Sequence, residues 1–415
     1  MTTRFIDGVP GATGGLSLQS GDLAAADRIH RHPAKMVPAL AQRFLERVAL
    51  PRLAAVGVEA PSFFDPCCGS GTTLLVARIA GCAVYGSDLL PQSATVASAK
   101  VNRLGQNGLN TLYKQLRVNP LSHRRTPRWE WDTWRTWYFG PTLRAIQDLA
   151  VHIREVEPRA VYPHLWTALS QTCWDVASAD ATIMVPTHSD YVRGARRFHP
   201  DSVLARYRSR LKRIIAAQLA LGRLGIHDTQ VRIGCGDALD SRIWPRRQQL
   251  ILTSPPYGLG IDYVRAVSLQ GHALDPEFNQ PELRRRMIGR RTSSPLRDSV
   301  LPARFSREAW CKKALLAGGG GRGALFQYFN ELHLLIRISS SKLADEGILG
   351  LVVGDPETAR LRVPLTAIAR QFALDCGLSE IAPPRRDPIR RRFQARTRRS
   401  SSNPISHETL LCFAA

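Results

Sequence analysis

Residues 63–90 decide the fold, and they read FFDPCCGSGTTLLVARIAGCAVYGSDLL. The stretch begins as an apolar strand, passes through a glycine-rich turn, continues as a helix of small and apolar residues, and ends in a second strand closed by Asp88. A strand, a turn, a helix and a parallel strand make one right-handed crossover unit. The stretch therefore predicts an α/β fold with a Rossmann-like sheet.

The glycine-rich turn of this unit predicts a nucleoside cofactor. Gly69 and Gly71 allow a ligand to approach the backbone closely, and Asp88 can accept hydrogen bonds from a ribose diol. The turn does not match a dinucleotide fingerprint, because Leu74 stands at the third glycine position, and it lacks the lysine of a triphosphate loop. Asp65 instead suits a positively charged part of a ligand. Taken alone, the turn is also compatible with a tight bend that binds nothing.

A second motif, Ser254-Pro255-Pro256-Tyr257, follows the apolar run 249–253. Such a position lies at the carboxyl end of a buried strand, where open α/β sheets bind ligands. The prolines fix the loop, so that the Ser254 hydroxyl and the Pro255 carbonyl can accept two hydrogens of an amino group while Tyr257 stacks on a base. These acceptors would restore lone-pair character to an exocyclic amine conjugated with its ring, and no covalent enzyme intermediate is needed.

The two motifs together resemble those of a known family. DPCCGSGTT and TSPPYG are similar to the cofactor and catalytic motifs of the amino-group DNA methyltransferases, particularly the cytosine-N4 group, whose catalytic tetrapeptide begins with Ser. HRHPAKMVP, GDAL and GIDYVR resemble further motifs of that family. The resemblance covers about 28–100 and 230–413 and implies the Rossmann-like fold of S-adenosylmethionine-dependent methyltransferases. His32 departs from it by standing where an aromatic residue is expected, and Cys67 and Cys68 are unusual in the turn.

The resemblance implies a role for each matching residue. Cofactor-binding roles fall on His30 and Lys35 at the methionine end, on Asp65, Pro66, Gly69, Gly71 and Thr72 in the turn, on Asp88 at the ribose and on Asp237 at the adenine. Catalytic roles fall on Ser254, Pro255, Pro256 and Tyr257. Asp262 could orient the catalytic loop or be a simple turn residue. The implied cofactor is S-adenosyl-L-methionine, and no metal is expected.

The sequence predicts one catalytic domain with two insertions. Its segments are a flexible leader at 1–27, the first part of the methyltransferase core at 28–100, a mostly helical insertion at 101–228 that is a candidate for target recognition, and the second part of the core at 229–415, with a basic insertion at about 264–322. An Arg-rich loop is predicted at 383–404. The tryptophans between 129 and 137 are predicted to belong to the core of the helical insertion.

Composition and charge limit the class of protein. The formal net charge of +23 favours a polyanionic partner, although an Arg-rich composition can also reflect a GC-rich genome. The eight cysteines form no C-x-x-C pair, which argues against a zinc site and indicates a reducing compartment. No apolar run has the length of a membrane helix, and the first residues lack the apolar core of a secretory signal. A cytoplasmic protein is therefore expected.

The expected substrate is double-stranded DNA with a flipped target base, because a base inside a duplex hides its amino group. Candidate DNA contacts are the charge runs at 385–399, 284–291 and 124–137, each of which could also be a solvated loop. Cognate restriction or defence proteins are further expected partners. The open alternatives are adenine-N6 methylation, methylation of an RNA base, and a non-catalytic DNA-binding component of a defence system.

Overall fold

The computed structural model describes residues 21–33, 35–121, 134–180, 185–187, 198–256, 262–275, 278–289, 301–311, 321–358, 362–388, 402–403, 405 and 407–415. Within these residues a seven-stranded sheet forms the centre of the molecule. Its strands are β1 Ser62–Asp65, β2 Ala83–Asp88, β3 Val231–Cys235, β4 Gln248–Thr253, β5 Leu343–Val353, β6 Ser379–Pro388 and β7 His407–Ala414. Two short strands, Glu357–Thr358 and Ser402–Asn403, pair apart from this sheet.

The order of the strands is 3-2-1-4-5-7-6. The pairs that join β3, β2, β1, β4 and β5 are all parallel, whereas β7 runs antiparallel to both β5 and β6. The first five strands follow the doubly wound Rossmann order, and β1 and β4 meet where that order reverses. The predicted Rossmann-like α/β fold is therefore confirmed.

The central strands are buried on both faces of the sheet. Phe63 and Phe64 are adjacent in β1 and are 0% and 1% exposed, yet they belong to two different apolar clusters. Successive side chains of a strand point to opposite faces, so the two clusters mark the two helical layers that cover the sheet. The same alternation places Leu250 and Ile251 of β4 in opposite layers.

Three of the described helices precede β1, and the others occupy the connections between strands. They are α1 Gly21–Asp27, α2 Pro38–Arg43, α3 Leu50–Ala55, α4 Thr72–Ile79, α5 Pro91–Val101, α6 Gln106–Gln115, α7 Trp134–Trp137, α8 Gly140–Glu155, α9 Tyr162–Val176, α10 Pro200–Arg223, α11 Tyr263–Ala266, α12 Ser268–Leu274, α13 Gln280–Arg286, α14 Ala303–Ser306, α15 Gly321–Lys342 and α16 Leu365–Asp375. A π-helical turn, Phe44–Ala49, joins α2 to α3. None of the described helices is long and apolar enough to cross a membrane.

Helices α6 to α10 form the described part of the helical insertion between β2 and β3. They share one apolar cluster, which includes Leu149, Leu165, Trp166 and Leu211, and Trp137 packs against it. The same cluster contains Val96 of α5. The insertion therefore packs directly on the α/β core, and the charge run at 124–137 is described only from residue 134.

Two predicted irregular segments contain regular structure instead. The leader predicted through residue 27 ends in helix α1, whose Leu23 and Ala26 are buried against Leu221 of α10. The loop predicted from residue 383 begins as the second half of β6, which pairs with β7 up to Pro388. Strand β6 lies at the edge of the sheet and its register shifts on both sides of Ala382, and edges and bulges are where a sheet tolerates proline.

Candidate active site

A cleft lies at the carboxyl ends of β1, β2 and β4, beside the point where the strand order reverses. Predicted residues that line it are Lys35, Asp65, Pro66, Gly69, Thr72, Asp88, Asp237, Ser254 and Pro256. Pro255 is buried within its loop and is not part of the lining. Tyr257 lies outside the described residues. The two motifs of the sequence therefore meet in one cleft, because β1 and β4 are hydrogen-bonded neighbours.

Asp65 ends β1 and organises the glycine-rich turn. Its Oδ1 accepts the Cys67 N–H at 3.0 Å, and its Oδ2 accepts the Thr73 hydroxyl at 2.5 Å. Burial raises the pKa of Asp65 to about 6, although both hydrogen bonds act in the opposite direction. A nearby positive charge would stabilise the ionised form of this buried carboxylate. Asp65 is therefore suited to a positively charged group of a ligand.

Asp88 ends β2 and closes the other side of the turn. Its Oδ2 accepts the Gly69 N–H and its Oδ1 accepts the Leu90 N–H, both at 2.9 Å. Burial raises the pKa of Asp88 to about 6, and these backbone donors partly oppose that rise. Each carboxylate oxygen has a second acceptor site, so Asp88 can still accept from ligand hydroxyls.

The two glycines of the turn serve different purposes. Gly69 has a φ of +50°, and a Cβ there would lie 3.3 Å from the His32 ring. Gly71 has a φ of +76°, and a Cβ there would lie 2.8 Å from the Ala97 Cβ of α5. Gly71 is not part of the cleft lining. The contact gives Gly71 a packing role, which lets α4 start close to α5, and its role at a ligand stays a prediction.

His32 fills a wall of the cleft where the family resemblance predicts an aromatic residue. Its Nδ1 lies 2.9 Å from the Pro33 carbonyl, so Nδ1 must carry the proton in this contact, and Nε2 then accepts the Ser93 hydroxyl at 3.0 Å. Burial lowers the pKa of His32 to about 4. The ring is therefore neutral at physiological pH and presents an uncharged flat surface to the cleft.

His30 is placed away from the cleft lining, in contrast to the prediction that it lies at the methionine end. Its Nε2 lies 2.8 Å from the Ser170 hydroxyl of α9, and burial lowers its pKa well below the usual value. The neighbouring Arg31 donates its backbone N–H to Gln171 and stacks over Trp174. The helical insertion thus holds the loop that carries His32 and Lys35.

The second insertion contributes cleft residues that were not among the predicted site residues. Arg286, Met287 and Ile288 line the side of the cleft near Asp237, and Tyr263 of the segment GIDYVR also lines the cleft. The Arg286 Nε is 3.9 Å from Asp237 Oδ2, and Asp262 caps α11 by accepting the Arg265 N–H. This cap is a local structural role, and it does not decide whether Asp262 also orients the catalytic loop. The charge run at 284–291 is described only as far as residue 289.

Cys67 is a cleft-lining thiol close to both Asp65 and Asp88. Burial raises its pKa well above the usual value, and the negative charges of Asp65 and Asp88 add to that rise. The thiol therefore stays protonated and is a poor nucleophile. Among the described residues, no group of three or more His, Cys, Asp or Glu side chains is arranged to hold a metal ion.

The chain is similar to a curated methyltransferase, and the solved structures that resemble it include two of an rRNA methyltransferase. No family model matches the chain. The type II methyltransferase M.MvaI of Kocuria varians is 34% identical over 89 residues, which is 21% of this chain and 18% of that protein. The chain therefore spans less than a fifth of that relative in the match. Two structures of the rRNA methyltransferase AviRa from Streptomyces viridochromogenes align over 95% of this chain and 91% of theirs, at 14% identity and a TM-score of 0.34. That likeness is too weak to add to what the strand order shows, so similarity to a methyltransferase rests on the 89-residue match.

Proposed function

We propose that the chain is an S-adenosylmethionine-dependent methyltransferase that acts on the N4 amino group of cytosine in double-stranded DNA after base flipping. The observation that carries this proposal is the meeting of Ser254 and Pro256 with the glycine-rich turn in one cleft. A methyl donor and an amino acceptor must lie side by side for direct transfer. The 89-residue match to a type II methyltransferase supports the methyl-transfer part of this proposal.

The donors and acceptors of the cleft fit S-adenosylmethionine. Asp88 offers acceptors for a ribose diol, and Asp237, 9% exposed, lies at the neighbouring strand end. Met287 and Ile288 supply an apolar surface of the kind that suits a purine ring. Asp65 and the neutral His32 favour a cationic ligand, because neither repels a sulfonium or an ammonium group.

When bound, the cofactor supplies an electrophilic methyl group. The side chain and backbone of the Ser254-Pro255 loop would accept the amino hydrogens and turn the nitrogen lone pair towards that methyl. The new bond joins nitrogen to carbon while the sulfur keeps the electrons of the broken bond, and the nitrogen then releases one proton. The loop therefore acts by orientation and by stabilising positive charge on nitrogen, without a covalent enzyme intermediate.

Duplex DNA is the proposed partner because the chain carries a net charge of +23. Ser at position 254 favours cytosine N4 over adenine N6, and adenine N6 is the second candidate because its amino group needs the same acceptors. Site-specific methylation in restriction-modification or phage defence is the biological role that we propose.

Mass spectrometry of nucleosides tests the proposal. DNA of diverse sequence is incubated with the protein and with S-adenosylmethionine that carries a trideuterated methyl group, so that methylation present beforehand is distinguished by mass. Labelled N4-methylcytosine is the expected product. Labelled N6-methyladenine would show that the target base is adenine and not cytosine. If RNA in a parallel reaction becomes labelled while DNA does not, a DNA substrate is excluded.

The affinity for S-adenosylmethionine is expected to fall as the pH drops below about 6. The pKa values of Asp65 and Asp88 are both raised to about 6, so both groups are ionised above that pH and become neutral below it. The ionised carboxylates attract the cationic ligand, so binding should weaken as they become neutral at lower pH. Calorimetric titration between pH 5 and pH 8 measures it, and Asp65→Asn should flatten the profile. An affinity that rises as the pH falls from about 6 to 5, below the range in which Lys35 titrates, would contradict the assignment of Asp65.

When His32 is replaced, the affinity for S-adenosylmethionine should depend more on the charge of the new side chain than on its hydrogen bonds. His32→Phe keeps a flat neutral ring and is expected to change the affinity for S-adenosylmethionine by less than about fivefold, since one neutral hydrogen bond is worth about 1 kcal/mol. His32→Lys places a cation in the wall of the cleft and should weaken binding by at least about 30-fold. Calorimetry on both folded variants checks this. Equal losses in the two would mean that the ring matters for packing alone.

A further inference from the structure

A short strap of the second insertion forms one wall of the cleft. The strap is the segment 286–289, which follows directly on the end of α13. Its Met287 and Ile288 are 5% and 7% exposed, and both line the cleft. Met287 belongs to a small apolar cluster with Leu90 and Val264, whereas Ile288 belongs to the large cluster that contains α15. The path of the strap therefore decides where this wall of the cleft stands.

A buried carboxylate of α15 holds the end of the strap. The Gly289 N–H donates to Glu331 Oε2 at 2.6 Å, and Glu331 is 3% exposed. Gly289 is itself buried and has a φ of +81°. A buried backbone N–H needs a partner, and here a side chain 42 positions away provides it. The strap is thus attached to the helix that leads into β5 of the central sheet.

The chemistry of Glu331 favours a positioning role over a packing role. Its neighbours along α15 include the buried apolar residues Phe329 and Leu332. A buried carboxylate is costly unless its oxygens accept hydrogen bonds, so a leucine would serve packing alone at a lower cost. Oε2 accepts from Gly289, and Oε1 accepts the side-chain amide of Gln327 at 2.8 Å. Because Gln327 lies one turn earlier on the same helix, it fixes the direction in which the carboxylate points.

We propose that Glu331 is a positioning residue for S-adenosylmethionine, because its hydrogen bond to Gly289 holds Met287 and Ile288 where they meet the purine ring. The proposal rests on the proposed function, which takes S-adenosylmethionine as the ligand. Glu331 does not line the cleft, so it acts through the strap and not by contact with the ligand. A helix outside the cleft wall thereby controls the affinity for the cofactor.

Three substitutions separate the reach of the Glu331 side chain from its charge. Glu331→Gln keeps an oxygen at the same distance from the backbone, and its NH2 group can donate to Gln327 once that amide turns over. Glu331→Asp keeps the charge but is one methylene shorter, so its oxygens should no longer reach Gly289. Glu331→Leu removes both acceptors and keeps the apolar packing. The matched control is Leu335→Ala, one turn further along α15, which opens a cavity in the large cluster and leaves this hydrogen bond in place.

Calorimetry without DNA measures the dissociation constant for S-adenosylmethionine, and urea titration shows that each full-length variant is folded. Glu331→Asp and Glu331→Leu are expected to weaken binding by about 5- to 100-fold, the range that corresponds to leaving a buried donor unpaired. Glu331→Gln should stay within about threefold of wild type, because it rescues the acceptor without the charge. Leu335→Ala should also stay within about threefold, although it lowers the stability.

Ile288→Ala shows whether the effect passes through the strap. In the wild-type background it removes apolar surface from the cleft wall and should weaken binding by about tenfold. In the Glu331→Asp or Glu331→Leu background the same change should weaken binding by less than about threefold, because a displaced strap no longer brings Ile288 to the ligand.

Four results would overturn this proposal alone. Wild-type affinity in both Glu331→Asp and Glu331→Leu would show that the strap keeps its place without the hydrogen bond. A loss in Glu331→Gln as large as in Glu331→Leu would assign the effect to the charge. An equal loss in Leu335→Ala would assign it to general loosening of α15, and a full tenfold effect of Ile288→Ala in the Glu331 variants would place it outside the strap. Wild-type protein that binds no S-adenosylmethionine would overturn the proposed function as well, so the two failures are distinguishable.

Discussion

Replacing Ser254 by alanine is expected to lower the rate of methyl transfer by about 100-fold or more, the typical cost of removing one preorganised group that stabilises a transition state. The side chain lines the cleft at the carboxyl end of β4, beside the turn that follows β1. Its loss removes an acceptor for an amino hydrogen but leaves Asp65, Asp88 and Asp237 in place. The affinity for S-adenosylmethionine should therefore stay within about threefold of wild type.

Single-turnover transfer of a labelled methyl group to DNA measures the rate, and calorimetry measures cofactor binding. Ser341→Ala serves as the matched control, because Ser341 is an exposed residue of α15 whose hydroxyl bonds only a helix carbonyl within the described contacts. A Ser254→Ala protein that keeps more than a tenth of the wild-type rate would exclude a catalytic role for this hydroxyl.

Replacing Gly71 by alanine should destabilise the protein by about 2–5 kcal/mol. A φ of +76° costs an L-residue about 1–2 kcal/mol, and overpacking of a buried contact costs about 1–3 kcal/mol more. The new methyl would lie 2.8 Å from the Ala97 Cβ and 2.9 Å from the Ala97 Cα, and backbone atoms cannot move aside as a flexible side chain can. The free energy of unfolding from urea titration measures the loss.

Gly57 separates the two causes. It has a φ of +81°, but nothing lies within 4 Å of a Cβ built there. Gly57→Ala should therefore cost only the backbone term, about 1–2 kcal/mol. Equal losses at the two glycines would show that α4 and α5 can separate without cost, and would remove the packing role assigned to Gly71.

The unit from β1 to β2 could be predicted from the sequence because its determinants are local. The two strands predicted within residues 63–90 are β1 Ser62–Asp65 and β2 Ala83–Asp88. A buried apolar strand, a positive-φ glycine and a helix of small residues each leave a signal within a few positions. The meeting of Asp65 with Ser254 also follows from topology, because parallel neighbours end at the same edge of a sheet.

The parts of the site that were missed depend on contacts between distant residues. Met287 and Ile288 reach the cleft from the second insertion, and Glu331 of α15 reaches Gly289. No local pattern marks a buried glutamate whose partner is far away in sequence. The run DLAAAD does contain good helix formers, so helix α1 could have been predicted.

The end of β6 was missed for a different reason. Prolines and arginines predict a loop in most contexts, and residues 383–388 contain both. These residues lie at the edge of the sheet, next to β7. Proline is tolerated there, because an edge strand uses the N–H groups of only one side for pairing. The position of a strand within a sheet is a tertiary property that the sequence of the strand does not contain.

The pairing of β2 with β3, which are far apart in the sequence, affects how the chain folds. β2 ends at Asp88 and β3 begins at Val231, yet Val84 pairs with Val231 and Asp88 with Cys235. A disordered connection of that length would make their pairing slow, because ring closure costs entropy before any contact forms. Helices form early from local contacts, and those between the two strands share their own apolar cluster. Their assembly would bring the two strand ends together, so the insertion would act as a folding template for the catalytic sheet.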